Sequence, residues 1–219
     1  MQQLTRFRNR VEAGRLLAER LMAYKNYPNA LVLGLPRGGV PIGFEVAKAL
    51  QLPLDVFLVR KLGVPGHEEL AMGAIASNSE PIFQSHILRQ LGISMSAIEQ
   101  VVNSQKLELQ RREKLFRANR LALDLAGKLI IIVDDGLATG STMLAALQAI
   151  RQQKPARIIT AIPVASHDAL TLISSLSDEV ICLLSPERFY SVGIWYEDFE
   201  QTQDEEVVDL LQKAKQIHE

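Results

Sequence analysis

The sequence predicts an α/β fold, a Rossmann-like parallel sheet with helices on both faces. Short apolar runs recur without polar–apolar alternation, as in ALVLGL (30–35), LDVFLV (54–59) and KLIIIVDD (128–135). Between the first two runs, residues 41–50 have the length and composition of a helix. Strands that are apolar throughout are buried on both faces, which is typical of parallel sheets covered by helices.

The remaining elements can be assigned in chain order. Asn9 is the expected N-cap of a first helix, RVEAGRLLAERLMAY, and Pro41 suits the first turn of the second. The segments MGAIAS and PIFQ are predicted to form a short pair of strands. KLIIIVDD is followed by a helix (STMLAALQAIRQ), a strand (ARIITAIPV), a helix (SHDALTLISSL) and a last strand (DEVICLL).

A long helix is expected over residues 96–120, beginning at the capping pattern Ser96…Glu99. It carries opposite charges four residues apart, in Glu108/Arg112 and Glu113/Arg117. Lys106 to Arg120 contains six basic and two acidic residues. A solvated face is favoured over an RNA-binding face, because no aromatic residues are interleaved for stacking. Two further roles for this helix are open alternatives: it could form a wall of the site, or a contact between two copies in a homodimer.

Composition sets broad limits. The chain has 219 residues, 47% of them hydrophobic, and a net charge of −1, which fits one globular domain and gives no general reason for binding nucleic acid or a membrane. No apolar run approaches the ~20 residues needed to span a bilayer, and the first residues lack a signal-peptide core. The single cysteine, Cys182, reads as a small core residue. We therefore expect a cytoplasmic protein.

Ligands of open parallel sheets bind beyond the carboxyl ends of the strands. Four segments occupy such positions in the predicted fold. They are GLPRGGV, RKLGVPGHEELAMG, DDGLATGST and SPERFY. Three of them are rich in glycine or basic residues, so the chemistry is expected there.

The stretch IIIVDDGLATGST (130–142) combines an acidic pair with a loop of glycines and hydroxyls. Backbone N–H groups and hydroxyls at a helix N-terminus suit a phosphate. Paired aspartates accept hydrogen bonds from vicinal hydroxyls and suit hydrated Mg²⁺. The combination indicates a phosphorylated ribose, with the 5′-phosphate in the loop and the 2′- and 3′-hydroxyls on the acids. An ordinary turn before a capped helix is the alternative.

These residues resemble the 5-phosphoribosyl-1-pyrophosphate (PRPP) motif of the type I phosphoribosyltransferases. GLPRGGVPIG resembles the pyrophosphate loop of that family, and RKLGVPGHEELAMGAIA occupies the place of its flexible catalytic loop. With the later FYSVGIWYEDF, the resemblance covers about residues 5–210 and points to a subgroup without an assigned acceptor. It implies a single domain over 1–219, made of a five-stranded core (about 28–184), a helical insertion (about 85–125) and a hood (about 1–25 and 185–219).

The resemblance assigns PRPP binding to three groups of residues. Gly38 and Gly39 would let the backbone approach the pyrophosphate, and Arg37 would bind it with a planar fork. A non-proline cis peptide is implied near Pro36–Arg37. The ribose and its phosphate would be bound by Asp134, Asp135, Gly136, Ala138, Thr139, Gly140, Ser141 and Thr142.

The basic loop would supply the catalytic cations. Arg60 and Lys61 would meet the departing pyrophosphate once the loop closes, and Asp135 would ease charge developing on the ribose. A solvated basic turn is the alternative. His67 could transfer a proton or be an ordinary loop residue, and the sequence does not distinguish the two. The roles of Glu68 and Glu69 are left unassigned.

The segment FYSVGIWYEDF (189–199) holds five of the twelve aromatic residues. Because it follows the last strand, an acceptor ring could stack there. Core packing is the equal alternative. The candidates for acceptor binding are Phe189, Tyr190, Trp195 and Tyr196.

The expected activity is transfer of 5-phosphoribose from PRPP to an acceptor nitrogen, a nucleobase or related ring, with release of pyrophosphate. The expected cofactor is Mg²⁺, bound through PRPP and the acidic pair; the four histidines and one cysteine suggest no transition-metal site. The alternative is a regulator that senses PRPP or nucleotides with the same fold, with RNA as a further ligand. The Arg60–Lys61 loop favours catalysis, because a sensor does not need to stabilise a leaving group.

Overall fold

The computed structural model describes residues 6–77, 79–118 and 123–218. Its strands are β1 (Ala30–Gly34), β2 (Leu54–Val56), β3 (Val59–Val64), β4 (His67–Ala76), β5 (Ile82–Phe83), β6 (Leu129–Val133), β7 (Arg157–Val164) and β8 (Glu179–Leu184). Its helices are α1 (Arg10–Arg20), α2 (Gly39–Leu50), α3 (Ser85–Leu91), α4 (Met95–Arg117), α5 (Ser141–Gln152), α6 (His167–Ser174) and α7 (Asp204–His218). Short 3₁₀ helices lie at Met22–Tyr24 and Gly193–Trp195.

Five strands form the predicted parallel sheet, in the order β2-β1-β6-β7-β8. Alternate residues of β6 belong to two different cores. Ile131 and Val133 pack in a core with residues of α1, α2 and α7, whereas Ile130 and Ile132 pack in a core with residues of α5 and α6. Burial of both faces explains why the strands have unbroken apolar runs.

The first two helices begin close to where the sequence predicts. The Asn9 side chain accepts a hydrogen bond from the Glu12 amide at 3.0 Å, so the predicted N-cap of α1 is confirmed. Helix α2 begins at Gly39, two residues before the predicted start, with Pro41 in its first turn. No helix in the described part of the chain is long and apolar enough to cross a membrane.

The sequence predicted a single strand over LDVFLV, and this prediction is wrong. β2 ends at Val56, and Val59 already opens β3, which belongs to a separate antiparallel sheet with the order β3-β4-β5. The Phe57 amide donates to the Gly34 carbonyl before the chain leaves the main sheet. An apolar run alone cannot reveal this change of sheet, because both parts are buried.

The basic segment after Val59 is a β-hairpin and not the expected loop. β3 and β4 pair antiparallel around a turn at Pro65–Gly66, where Gly66 has a φ of +78°. Leu62 and Val64 are buried, while the residues between and before them are partly exposed. Glycine, proline and charged residues concealed this alternation in the sequence. The predicted pairing of MGAIAS with PIFQ is confirmed by β4 and β5.

Helix α4 begins at Met95, and its N-cap is Ser94, whose hydroxyl accepts a hydrogen bond from the Ala97 amide at 3.2 Å. The prediction that Ser96 caps this helix is wrong, because the backbone is extended at Ser94 and helical from the next residue. Both predicted ion pairs form, Glu108–Arg112 at 2.7 Å and Glu113–Arg117 at 3.3 Å. Residues 119 and 120 of the predicted helix lie outside the described residues.

A buried ion pair anchors the end of α4 to the main sheet. Arg117 Nε and Nη2 lie 3.2 and 3.3 Å from the two carboxylate oxygens of Asp55 in β2. The Arg117 side chain is 4% exposed. Because α4 is held here and by its apolar face, its remaining side chains have a defined position over the carboxyl end of the sheet.

We expect Arg117→Met to lower the free energy of unfolding by roughly 3 kcal/mol, because the Asp55 carboxylate would lose its buried partner. Denaturant unfolding measures this change. Arg111→Met is the matched control on the same helix; because its side chain is exposed, this substitution should leave the free energy of unfolding nearly unchanged. Equal effects of the two substitutions would show that the buried pair does not anchor α4.

Candidate active site

The pairing of β1 with β6 brings two predicted loops into contact. The Leu35 amide donates to the Val133 carbonyl at 2.9 Å, just beyond both strands. A Cβ on Gly39 would lie 2.6 Å from that carbonyl oxygen, and a Cβ on Gly38 would overlap the Asp135 carboxylate. Glycine is therefore required for this close approach. The loop after β1 lies directly against the acidic pair after β6.

The loop after β1 contains a non-proline cis peptide between Pro36 and Arg37. This is where the family resemblance placed one, so the prediction is confirmed. Arg37 Nη1 lies 3.7 Å from Oδ1 of Asp204, the first residue of α7. The Arg37 side chain is partly exposed, and its planar fork can reach an anion at the mouth of the loop.

Asp134 and Asp135 lie side by side and are partly buried. The Asp134 carboxylate accepts a hydrogen bond from the Asp135 amide at 2.9 Å. Burial raises the pKa of Asp134 well above its ordinary value, and the neighbouring Asp135 charge raises it further. Burial also raises the pKa of Asp135, although the nearby Arg10 cation opposes that shift. The pair is thus set apart from bulk solvent, as expected of groups that meet a ligand.

Arg10 is a residue of this site that the sequence did not reveal. Its Nε and Nη2 atoms both lie 2.9 Å from Oδ2 of Asp135. Its Nη1 donates to the Glu200 carbonyl at 2.7 Å, and its guanidinium lies 4.0 Å from the centre of the Phe199 ring. No local pattern could have indicated this contact, because 125 residues separate Arg10 from Asp135.

The loop from Gly136 to Gly140 leads into α5 with its polar groups exposed. The hydroxyls of Thr139 and Ser141 are 3.1 Å apart, and Thr142 is exposed beside them. Gly140 has a φ of +73° and precedes the first helical residue. The Ser166 hydroxyl donates to the Ala138 carbonyl at 2.7 Å and so supports the loop from behind. Hydroxyls at an open helix N-terminus can bind a phosphate.

A cavity of about 660 Å³ lies beside these loops. Pro36 and Thr142 form one wall, the hairpin of β3 and β4 forms a second, and α4 forms a third. Arg60 and Lys61 both line it, as does Glu68. The predicted catalytic cations and two of the predicted PRPP loops therefore meet at one cavity. His67 is exposed at the hairpin turn, and the side chain of Glu69 lies outside the described atoms.

Arg60 is held against α4. Its Nε donates to the Gln105 side-chain oxygen at 2.8 Å. Burial lowers the pKa of the Arg60 guanidinium, and the nearby Arg112 cation lowers it further. The contribution of α4 to this cavity is a second feature that the sequence left undecided, because a wall of the site was one of four alternatives for the basic helix.

The aromatic segment has a different role from the predicted one. Tyr196 is 1% exposed, its ring is stacked on Phe199, and its hydroxyl donates to the Asp135 carbonyl at 2.6 Å. Because this ring is buried, Tyr196 takes the core-packing alternative and not the alternative in which it stacks on an acceptor. Phe189 and Trp195 are half-buried and pack against the core, whereas Tyr190 is 80% exposed.

The same segment contacts the loop after β6 through an aliphatic residue. A Cβ on Gly136 would lie 2.5 Å from a methyl group of Val192. Backbone hydrogen bonds join the segment to the beginning of the chain, from the Phe7 amide to the Trp195 carbonyl and from the Glu197 amide to the Phe7 carbonyl, each at 2.8 Å. The beginning of the described chain and the aromatic segment therefore meet beside Asp135.

The acidic pair offers the oxygen donors that Mg²⁺ prefers, so the residues present fit this ion. One Asp135 oxygen already contacts Arg10, which leaves Asp134 and the other Asp135 oxygen as donors. Among the described residues, no group of three or more His, Cys, Asp or Glu side chains is placed to hold a metal ion.

These loops lie at the carboxyl end of a parallel sheet flanked by helices, and the chain belongs to the phosphoribosyltransferase family. The family model described as the phosphoribosyl transferase domain matches residues 2–192. The chain is 45% identical over 208 residues to "Putative phosphoribosyl transferase Rv0571c" of Mycobacterium tuberculosis (strain ATCC 25618 / H37Rv). That alignment covers 95% of this chain and 47% of the relative, so the chain spans about half the length of the curated relatives it matches.

Two solved structures share the fold. TT1426 from Thermus thermophilus is 40% identical, with a TM-score of 0.86 over 95% of this chain and 98% of that one. AQ2163 from Aquifex aeolicus is 13% identical, with a TM-score of 0.50 over 92% of this chain and 84% of that one, and it is similar in fold alone.

We expect Gly140→Ala to lower the free energy of unfolding by more than the ~1–2 kcal/mol that a left-handed backbone costs an L-residue. The added reason is crowding, because the new Cβ would lie 3.2 Å from the Ala169 Cβ. Gly127→Ala is the matched control, with a φ of +66° and nothing within 4 Å of its Cβ position. Denaturant unfolding of both variants measures the difference, and equal costs would exclude a contribution from Ala169.

Proposed function

We propose that this protein transfers 5-phosphoribose from PRPP to an acceptor nitrogen and releases pyrophosphate. One observation carries the proposal: the loop after β1, the acidic loop after β6 and the basic hairpin lie side by side at the carboxyl end of the sheet. Family membership supports the same class of reaction.

PRPP would lie across the two loops. The pyrophosphate would meet the backbone of Gly38 and Gly39 and the Arg37 guanidinium. The ribose hydroxyls would meet Asp134 and Asp135. The 5′-phosphate would be bound by the loop whose members are Gly136, Ala138, Thr139, Gly140, Ser141 and Thr142.

Catalysis would depend on stabilising charge as the bond from ribose to pyrophosphate breaks. The ribose then resembles an oxocarbenium ion and the leaving group gains negative charge. Arg60 and Lys61 line the cavity beside Pro36, where cations would stabilise the leaving group. The Asp135 carboxylate, oriented by Arg10, would lie close to the positive charge on the ribose.

Bound Mg²⁺ would neutralise the pyrophosphate charge and hold it in a reactive position. Asp134 and the unpaired side of the Asp135 carboxylate would hold the ion, directly or through water. The proposed acceptor is a nucleobase or a related nitrogen ring, because the exposed Tyr190 and the half-buried Phe189 and Trp195 belong to the same segment as Val192, which contacts the loop after β6 at Gly136.

An acceptor screen tests the proposal. The protein is incubated with PRPP, Mg²⁺ and single nitrogen acceptors, and pyrophosphate release is measured. Release with one acceptor class establishes the transferase. Binding of PRPP by calorimetry without release from any acceptor would favour the alternative function, a regulator that senses PRPP. Failure to bind PRPP would overturn both.

Removing a cavity cation should affect chemistry more than binding. We expect Arg60→Ala to lower kcat by about 10- to 100-fold while the affinity for PRPP falls less, because charge on the leaving group grows in the transition state. We expect the same pattern for Lys61→Ala, a larger loss in kcat than in affinity for PRPP. Arg15→Ala is the control, since that side chain is exposed and pairs with Glu45 on α2. Equal loss of rate and affinity would make the hairpin a binding clamp alone.

Removing one carboxylate charge should weaken PRPP binding. We expect Asp135→Asn to lower the affinity by at least about 10-fold, or ~1.4 kcal/mol, because ribose and Mg²⁺ would lose an anionic partner. Titration calorimetry with Mg²⁺ and PRPP measures it. Asp178→Asn is the control, because its carboxylate pairs with Arg151 just before β8, at the other end of the sheet. Unchanged affinity in Asp135→Asn would contradict the ribose assignment.

A further inference from the structure

Helix α4 presents five side chains to the cavity, and three of them form a row along one side of the helix. Val101, Gln105 and Arg112 line the cavity and are separated by four and seven residues, so they fall on one side of the helix. A different row, Ile98, Val102, Leu109 and Phe116, is buried in the core. The cavity row is fixed in direction because α4 is anchored by this core contact and by Arg117.

Arg112 extends toward the proposed PRPP loops. Besides the main cavity, it lines an adjoining crevice of about 20 Å³ together with Leu35, Pro36 and Thr142. Its side chain is 30% exposed, and its Nε lies 2.7 Å from a carboxylate oxygen of Glu108 on the same helix. Arg112 therefore adjoins both the loop after β1 and the first turn of α5.

Arg112 also stands close to another cavity cation. Arg60 lines the same cavity and is tied to α4 through Gln105. The like charge of Arg112 contributes to the lowered pKa of Arg60. Two guanidinium groups held near each other in a cleft attract an anion, because a bound anion relieves their repulsion.

We propose that Arg112 is a third cation for the pyrophosphate of PRPP, acting beside Arg60 and Lys61 from a helix outside the three ligand loops. Glu108 is its counter-ion before the ligand arrives. The inference rests on the proposed function. Pyrophosphate is favoured over the 5′-phosphate because two lining residues of this crevice, Leu35 and Pro36, belong to the loop after β1, whereas one, Thr142, belongs to the segment proposed to bind the 5′-phosphate.

The chain contains a matched pair of residues for the test. Arg111 and Arg112 both pair with Glu108, at 2.9 and 2.7 Å, but Arg111 is 60% exposed and does not line the cavity. Arg111→Gln and Arg112→Gln therefore remove the same charge from the same helix and the same partner. Arg112→Lys retains the charge without the planar fork.

Titration calorimetry measures the affinity of each variant for inorganic pyrophosphate with Mg²⁺ and, separately, for ribose 5-phosphate. No acceptor is needed for either measurement. We expect Arg112→Gln to weaken pyrophosphate binding by about 10-fold or more and Arg111→Gln by less than about twofold, with Arg112→Lys between them. Both glutamine variants should bind ribose 5-phosphate like the wild type. If Arg112→Gln fails to fold, Arg112→Lys takes its place in the comparison with Arg111→Gln.

Four results overturn the inference. Equal effects of the two glutamine substitutions on pyrophosphate binding would show that α4 contributes only general charge. A loss confined to ribose 5-phosphate would move Arg112 to the other phosphate. Wild-type protein that binds neither PRPP nor pyrophosphate would overturn the proposed function as well, whereas normal PRPP binding with an unaffected Arg112→Gln would overturn the inference alone.

Discussion

The pairing of β1 with β6 is the constraint on which the rest of the site depends. It places the backbone after Gly34 against the backbone after Val133, at a separation that leaves no room for a Cβ on Gly39. The two loops are therefore a single surface, and its shape is set by the hydrogen bonds of the central sheet. Strands buried on both faces resist movement, because any shift would disturb two packed cores at once. A rigid platform of this kind suits a site that must hold a flexible, highly charged ligand.

Charges of opposite sign are separated across that surface. The acidic pair lies on one side, where Arg10 neutralises part of its charge and the Phe199 ring covers the Arg10 guanidinium. The cations Arg60, Lys61 and Arg112 lie around the cavity on the other side. A ligand with hydroxyls at one end and phosphates at the other is complementary to this arrangement. A ligand with uniform negative charge would meet Asp134 and Asp135 unfavourably, which is a physical argument for a phosphorylated sugar over a simple polyphosphate.

The parts outside the central sheet hold the site in place. Residues near Phe7 pair with the backbone near Tyr196, and the Tyr196 hydroxyl donates to the Asp135 carbonyl. On the opposite side, Arg117 joins α4 to β2 and so fixes the wall of the cavity. These contacts explain part of the basic character of α4 without a role in binding nucleic acid. Of its basic residues, Arg112 faces the cavity and Arg117 is buried, and both pair with acids on the same helix.

The sequence by itself determined the alternation of strands and helices in the parallel sheet and the acidic pair at the end of β6, and its resemblance to a known family implied the cis peptide after β1. These features are local: apolar runs, turn residues and a contiguous motif carry them. Only the tertiary structure decided that RKLGVPGHEEL is a hairpin, that Tyr196 is a core residue and that Arg10 contacts Asp135. Each of these depends on which distant segment packs against the residue, as with the 125 positions between Arg10 and Asp135, and no local pattern encodes that partner. The role of α4 was undecided for the same reason, since a helix with mixed charges looks alike whether it faces solvent or a cavity.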